Sequence, residues 1–348
     1  MLRRSITLAV IGLSVIGSAP RAHAEDDGPG LNEIRVAVRR SLKLIESSTA
    51  TYREHRTCFS CHHQAMPVLA LAEARRRGFP VDGENFQAQL KWTADHLRRG
   101  RENYLQGKGQ GGRGDTAGYA LWALDAGGWK ADEVTAAVAH YLLVKDEDAD
   151  HWRRSGNRPP SEASDVTTTA VALYGLRAYG TGEQSGRIDQ RRKKARAWLE
   201  AAEPRDTEDR VFRLLGLYYL DAEEKTIQAA VKQLVATQDD DGGWAQNDKL
   251  PADAYATGTA LAALHHAGGM STGERVYRRG LKFLLRGQEE DGSWHVASRS
   301  KPFQKYFESG FPHGKDQFIS ASASCWATIA LLYACPTAES VVEDESAK

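Results

Sequence analysis

Sulfur is scarce in this chain, which has four cysteines and three methionines in 348 residues. So few thiols exclude a disulfide-dense scaffold. An excess of one charge is also missing, because 46 basic residues balance 46 acidic ones. That balance leaves no electrostatic footprint for nucleic acid. Long apolar runs are absent as well. The longest, Ile6 to Ile16, falls short of the roughly 20 residues that span a bilayer, and no later segment comes close. The mature chain is therefore expected to have no transmembrane segment.

What is present begins at the N-terminus. Arg3 and Arg4 precede the apolar stretch, and Ala22-His23-Ala24 offers a small-residue cleavage site. This pattern predicts a signal peptide over 1–24, cut after Ala24, and a periplasmic or secreted protein. The remainder exceeds the usual single-domain length yet shows no linker. One domain of repeats over 25–336 is expected, followed by a disordered acidic tail over 337–348.

Two kinds of helical segment alternate. One kind is amphipathic, with apolar sets at helical spacing such as Ile34, Val38, Leu42, Ile45 and Phe86, Leu90, Thr93, Leu97. The other is apolar or small nearly all round and covers about 61–77, 114–126, 165–179, 207–221, 253–267 and 318–334. A helix without a charged face is buried on most sides. Segments beginning at Asp115, Asp165 and Asp253 are variants of one unit, each with an Asp placed to cap a helix. Six outer and six inner helices predict an all-α (α/α)₆ toroid, with an open solenoid as the alternative.

Gln238-Asp-Asp-Asp-Gly-Gly-Trp244 and Gln288-Glu-Glu-Asp-Gly-Ser-Trp294 each follow an outer segment. They resemble the QW motif of the squalene cyclase and prenyltransferase superfamily, and Asp253-Ala-Tyr-Ala-Thr-Gly258 resembles its inner helices. The resemblance implies the α/α toroid and a loop tied to neighbouring helices by Gln and Trp. True cyclases of this kind protonate an alkene with a D-x-D-D element. The nearest match is Asp165-Val166-Thr167-Thr168, whose hydroxyls cannot supply that proton, so triterpene cyclisation is not expected.

Cys58-Phe59-Ser60-Cys61-His62 carries C-x-x-C-H, the pattern that attaches haem c through two thioethers and ligates iron with the adjacent imidazole. Cys58 and Cys61 are then the anchors and His62 the proximal ligand. Two alternatives use the same residues. One is a Cys58–Cys61 disulfide. The other is zinc held by Cys58, Cys61 and His63 with a further ligand, as the likeness to protein prenyltransferases implies. Cys325 and Cys335 lie too far apart along one helix to pair.

The segment 295–317 is long for an internal loop and rich in aromatics, which points to a functional element. It is expected to fold over the toroid mouth beside Cys58–His63. His313 or His295 would then supply the second metal ligand, and Arg299, Lys301 and Lys305 would pair with haem propionates. His63 is expected at the cavity mouth as an acid or base, with Asp165 and Asp253 at the starts of their inner helices as further catalytic candidates. The expected function is electron transfer or haem-dependent redox chemistry with a redox partner. The alternative is a non-redox toroid that handles a small hydrophobic ligand such as a prenyl or terpenoid compound.

Overall fold

A computed structural model describes residues 28–302 and 305–337. The expected signal peptide, and the tail beyond Thr337, lie outside the described residues. The chain runs α1 (Leu31–His55), α2 (Met66–Arg76), α3 (Gly83–Arg99), a short α4 (Arg101–Leu105), α5 (Arg113–Ala126) and α6 (Glu133–Val144). It continues through α7 (Asp165–Tyr179), α8 (Ser185–Ala201), α9 (Thr207–Tyr219) and α10 (Glu224–Val235). Last come α11 (Ala254–His266), α12 (Arg275–Gly287) and α13 (Gln317–Tyr333). Two-residue strands, β1 (Trp244–Ala245) and β2 (Ala252–Asp253), pair antiparallel within one turn. No helix among the described residues is long and apolar enough to cross a membrane.

Burial separates the two helix classes as the sequence pattern anticipates. α11 buries Ala254 to Leu264 without a break, whereas α12 buries only Tyr277, Gly280, Leu281 and Leu284. The fully apolar helices therefore form the inner layer and the amphipathic ones the outer layer. Each inner helix touches the next in the series α2, α5, α7, α9, α11, α13, and α13 returns to α2. The toroid is closed. Close approach between inner helices requires glycine at two positions. A Cβ on Gly258 would lie 2.6 Å from the Ala327 nitrogen, and one on Gly118 would lie 2.7 Å from the Val171 carbonyl carbon.

The Gln/Trp turns fasten the outer layer. Gln238 Nε2 donates to the carbonyls of Gly242 and Val276, each at 2.9 Å, and so ties the turn after α10 to α12. Gln288 Nε2 donates to Ala37 O at 2.9 Å, which carries the turn after α12 back to α1 across the ring seam. The indoles of Trp244 and Trp294 donate to Leu234 O and Leu284 O at 2.9 and 2.7 Å. Trp152 repeats this geometry without a glutamine: its Nε1 donates to Leu142 O at 2.8 Å and its backbone N–H to Thr169 Oγ1. Arg191 lies over its ring, 3.9 Å from the centroid, and donates to the carbonyls of Asp146 and Ala149.

Trp122 packs with Tyr119, Tyr174, Tyr219 and Trp326 at ring separations of 5.2 to 6.3 Å, and so fills the ring towards the C-terminal ends of the inner helices. The caps differ from expectation. Asp253 does cap α11, accepting from Ala256 N, but Ser164 caps α7 and Asp165 is the first residue inside it. Asp115 also lies inside its helix, behind Gly112.

Candidate functional site

Between α1 and α2 the chain turns sharply into the ring. Ser60 is extended, and its hydroxyl accepts from His63 N at 3.1 Å while its own N–H donates to Gln64 Oε1 at 2.8 Å. This reciprocal cap starts a single π turn, Cys61–Ala65, that leads into α2. Such a turn adds a residue to the helix and re-aims the side chains on it. Here it presents Cys61 and His62 to a cavity and buries His63.

That cavity measures about 910 Å³ and is lined by Cys58, Cys61, His62, His96, Arg113 and Arg158, among others. It opens at the N-terminal ends of α2 and α5. An adjoining cavity of about 290 Å³ shares Cys61, His62 and Arg158. Its walls are apolar at Pro159, Pro160, Phe318 and Ile319, and cationic at Lys301, Lys305 and Lys315. Both volumes approach or reach the range of small-molecule sites.

Cys58 and Cys61 are free thiols, so the disulfide alternative is not the form seen. Burial, with the Asp115 carboxylate nearby, pushes the Cys61 thiol up to about 12. His62 Nδ1 bonds to Ser60 Oγ at 2.9 Å and His63 Nδ1 at 2.5 Å. Burial and then the Arg158 charge push His62 down to about 3, which keeps the imidazole neutral. The zinc alternative finds no geometric support at these residues. Among the described residues, one set of at least three His, Cys, Asp or Glu side chains brings its ligating atoms within 4.8 Å of one another, and it contains neither cysteine.

Several expected roles are corrected. His63 is fully buried rather than at the mouth; its ring stacks on Tyr52 at 4.9 Å, and burial then the His62 ring hold it well below the usual imidazole range. His295 and His313 do not line either cavity; they stack on each other at 4.7 Å and bond to Asp316 and Ser293. The histidine that does share the cavity is His96 of α3. Its Nε2 is buried without a hydrogen-bond partner among the described residues, and burial and then Arg99 push the ring down to about 4. Arg299 turns away to Gln246, donating to Oε1 at 2.7 Å, while Lys301 and Lys305 stand at the second cavity. The loop itself lies beside the motif, with Phe307 5.8 Å from Tyr52 and its ring under the Arg56 guanidinium at 3.8 Å. Asp165 is spent on Arg154, accepting from its backbone and its guanidinium, and Asp253 on capping α11.

The sequence reading missed a pair of acids. Thr167 Oγ1 donates to Glu208 Oε1 at 3.0 Å, and Thr168 Oγ1 donates to Asp115 Oδ1 at 2.5 Å. The two hydroxyls of Asp165-Val-Thr-Thr thus each hold a carboxyl from a neighbouring inner helix, α9 or α5. Tyr255 OH donates to Glu208 Oε2 at 3.1 Å. Burial, then the nearby Asp206 carboxylate, pushes Glu208 up to about 8, and burial pushes Asp115 up to about 6. A signal was present, since Asp206-Thr207-Glu208-Asp209 is D-x-E-D, one methylene from the acid element sought elsewhere. Pro160, Gln246, Tyr255 and Thr259 close around Glu208 and leave no room for a water molecule.

Comparison with known proteins places this geometry. Residues 202–345 match the squalene-hopene cyclase C-terminal domain family. Type II terpene cyclase MstE from Scytonema aligns over 88% of this chain and 99% of its own, at 14% identity and a TM-score of 0.55. The chain has a terpene cyclase fold. A complex of an MstE variant with its substrate, geranylgeranyl dihydroxybenzoate, aligns over 88% and 98% at 14% identity and a TM-score of 0.52. A possible member of the GH105 family from Klebsiella pneumoniae aligns over 92% and 98%, at 10% identity and a TM-score of 0.50. Such different neighbours on one toroid show that the fold alone does not select a chemistry.

Proposed function

We propose that this protein is an exported toroid that holds one large, mostly apolar molecule with anionic groups at its mouth, and that the molecule is haem c. One observation carries the reading: Cys58, Cys61 and His62 line a single cavity of about 910 Å³. Thioether attachment needs two thiols at a cavity wall, not the tight convergence of ligands that zinc demands. Both thiols are free. His62 is neutral, and its Nδ1 is occupied by Ser60 and His63, which leaves Nε2 for the iron. Orienting a ligating imidazole through its other nitrogen is the usual support for a metal-bound histidine. His96, whose Nε2 is buried at the same cavity without a partner among the described residues, would be the second residue to hold the iron, in place of His295 and His313. Arg158, Lys301 and Lys305 receive the propionates. Bound haem c supplies a one-electron centre, so the role is electron transfer with a redox partner. Phe59, Pro159 and Phe318 would give the group apolar walls.

A second reading has its own support and dispenses with haem. The family match and the MstE neighbours favour a prenyl or terpenoid ligand in the same mouth. Glu208, protonated at neutral pH beside Thr167 and Tyr255, would be its acid, with Pro160 displaced to admit substrate.

The deciding experiment is the reduced pyridine spectrum of protein exported from cells with a cytochrome c maturation system. A c-type α-band that disappears in Cys58→Ala/Cys61→Ala supports haem. Colourless, folded, exported protein overturns it. Retention of a prenylated probe by that colourless protein, with loss of retention in a Phe318→Asp variant, would then favour the second reading.

A further inference from the structure

The set of converging ligand atoms lies away from the cysteines, on the rim formed by the sixth repeat. Glu289, His295 and His313 each place a ligating atom within 4.8 Å of the other two. Glu289 belongs to the tight turn after α12, where its N–H donates to Ser293 O at 2.9 Å. His295 follows that turn directly. His313 stands eighteen residues on, at the far end of the long loop, with φ 79° and ψ 18°. The left-handed region is uncommon for a residue with a side chain and persists where its surroundings fix it.

The surroundings have the form of metal support. His295 Nε2 lies 3.0 Å from Asp316 Oδ2, and Asp316 is itself buried and fixed by Ser298 N at 2.9 Å. His313 Nε2 lies 2.8 Å from Ser293 Oγ. Each imidazole therefore has one nitrogen oriented by an oxygen, which is how metal-ligating histidines are commonly held. The other nitrogen, Nδ1, has no hydrogen bond on either ring among the described residues. The rings stack at 4.7 Å with an interplanar angle of 27°.

We propose that Glu289, His295 and His313 bind one zinc-class divalent cation through the carboxylate and the two Nδ1 atoms, with water in the fourth position. Two imidazoles and a carboxylate suit a borderline ion of this kind better than calcium or magnesium, which take mainly oxygen ligands. The ion joins both ends of the 295–313 segment to the turn that carries Gln288 and Trp294. It is separate from the haem or terpenoid site and does not depend on that reading.

The test is zinc titration by calorimetry of the exported full-length protein after chelator treatment, alongside Cys58→Ala/Cys61→Ala, Glu289→Gln and His295→Ala/His313→Ala. One equivalent is expected in the wild type and in the cysteine variant. Glu289→Gln is expected to bind about 10-fold or more weakly, and the double histidine variant to lose the equivalent. Cobalt substitution is expected to give a tetrahedral visible spectrum without a sulfur-to-metal charge-transfer band. Because Glu289 is exposed, its conservative variant is expected to fold, as circular dichroism would verify. Absence of stoichiometric zinc, zinc unaffected by Glu289→Gln and by the histidine changes, or zinc lost with the cysteines would each overturn the proposal.

Discussion

At the scale of single residues, burial shifts the proton affinity of groups in and behind the toroid mouth. His62, His63 and His96 are buried bases held below the ordinary imidazole range, and Glu208 and Asp115 are buried acids held above the carboxylate range. For Glu208 the sign is definite. Between about 4.5 and about 8 the native state keeps a proton that the unfolded chain releases, so folding stability falls as pH rises through that window. Glu208→Gln is expected to remove this contribution. Urea unfolding of both proteins at pH 5 and pH 8 should show the variant gaining on the wild type, with at most about 1.4 kcal/mol for each pH unit. A difference that does not change with pH would mean that Glu208 is ionised in the native state. His96 gives a second residue-scale prediction. If haem is bound, His96→Ala is expected to convert a low-spin spectrum to a high-spin one while leaving the covalent attachment intact.

At the scale of elements, the helices were readable because their burial is imposed by periodicity. The two classes differ in whether a charged stripe is present, and that difference alone assigns inner and outer layers. The D-x-D-D comparison was less informative, because a carboxyl is identified by three-dimensional proximity and not by chain position. Thr167 and Thr168 look like losses in the sequence, yet each contacts an acid of another helix more than forty residues away. Histidine is a metal-ligand residue type, but which partners His295 and His313 meet depends on a loop path that no local pattern encodes. Trp152 went unrecognised as a turn anchor because Arg191, from a different element, replaces the missing glutamine. Trp152→Ala is expected to cost about 3–5 kcal/mol, as for other large-to-small core changes, measured by chemical denaturation. Gly258→Ala should cost about 1–3 kcal/mol by overpacking, since its new methyl meets the backbone of α13.

At the scale of the whole molecule, the decisive feature is the seam between the last repeat and the first. Ser41 Oγ and Thr328 Oγ1 meet at 2.6 Å across 287 residues of chain, and Tyr277 OH donates to Ala330 O nearby. Gln288 reaches Ala37 from the other layer. Gln288→Ala is expected to cost about 1–2 kcal/mol through its lost hydrogen bonds. The same change should increase hydrogen exchange in α1 and α13 more than in α7 and α9, which lie across the ring. Equal effects on all helices would show that the toroid opens only as one unit.

A closed ring also has no first or last repeat in the physical sense. Cys335 lies near the Arg35 and Arg39 charges of α1, so the two ends of the described chain approach the same helix. Their order along the polypeptide is then a matter of synthesis and not of architecture. The toroid could be cut at the Gly127-Gly128 turn and rejoined between its present ends by a flexible linker without losing an inter-helix contact. What such a permuted chain would alter is timing: the seam, now the last junction to form during synthesis, would become a junction between consecutive helices. Long-range closure, with its slow search, would pass to a different pair.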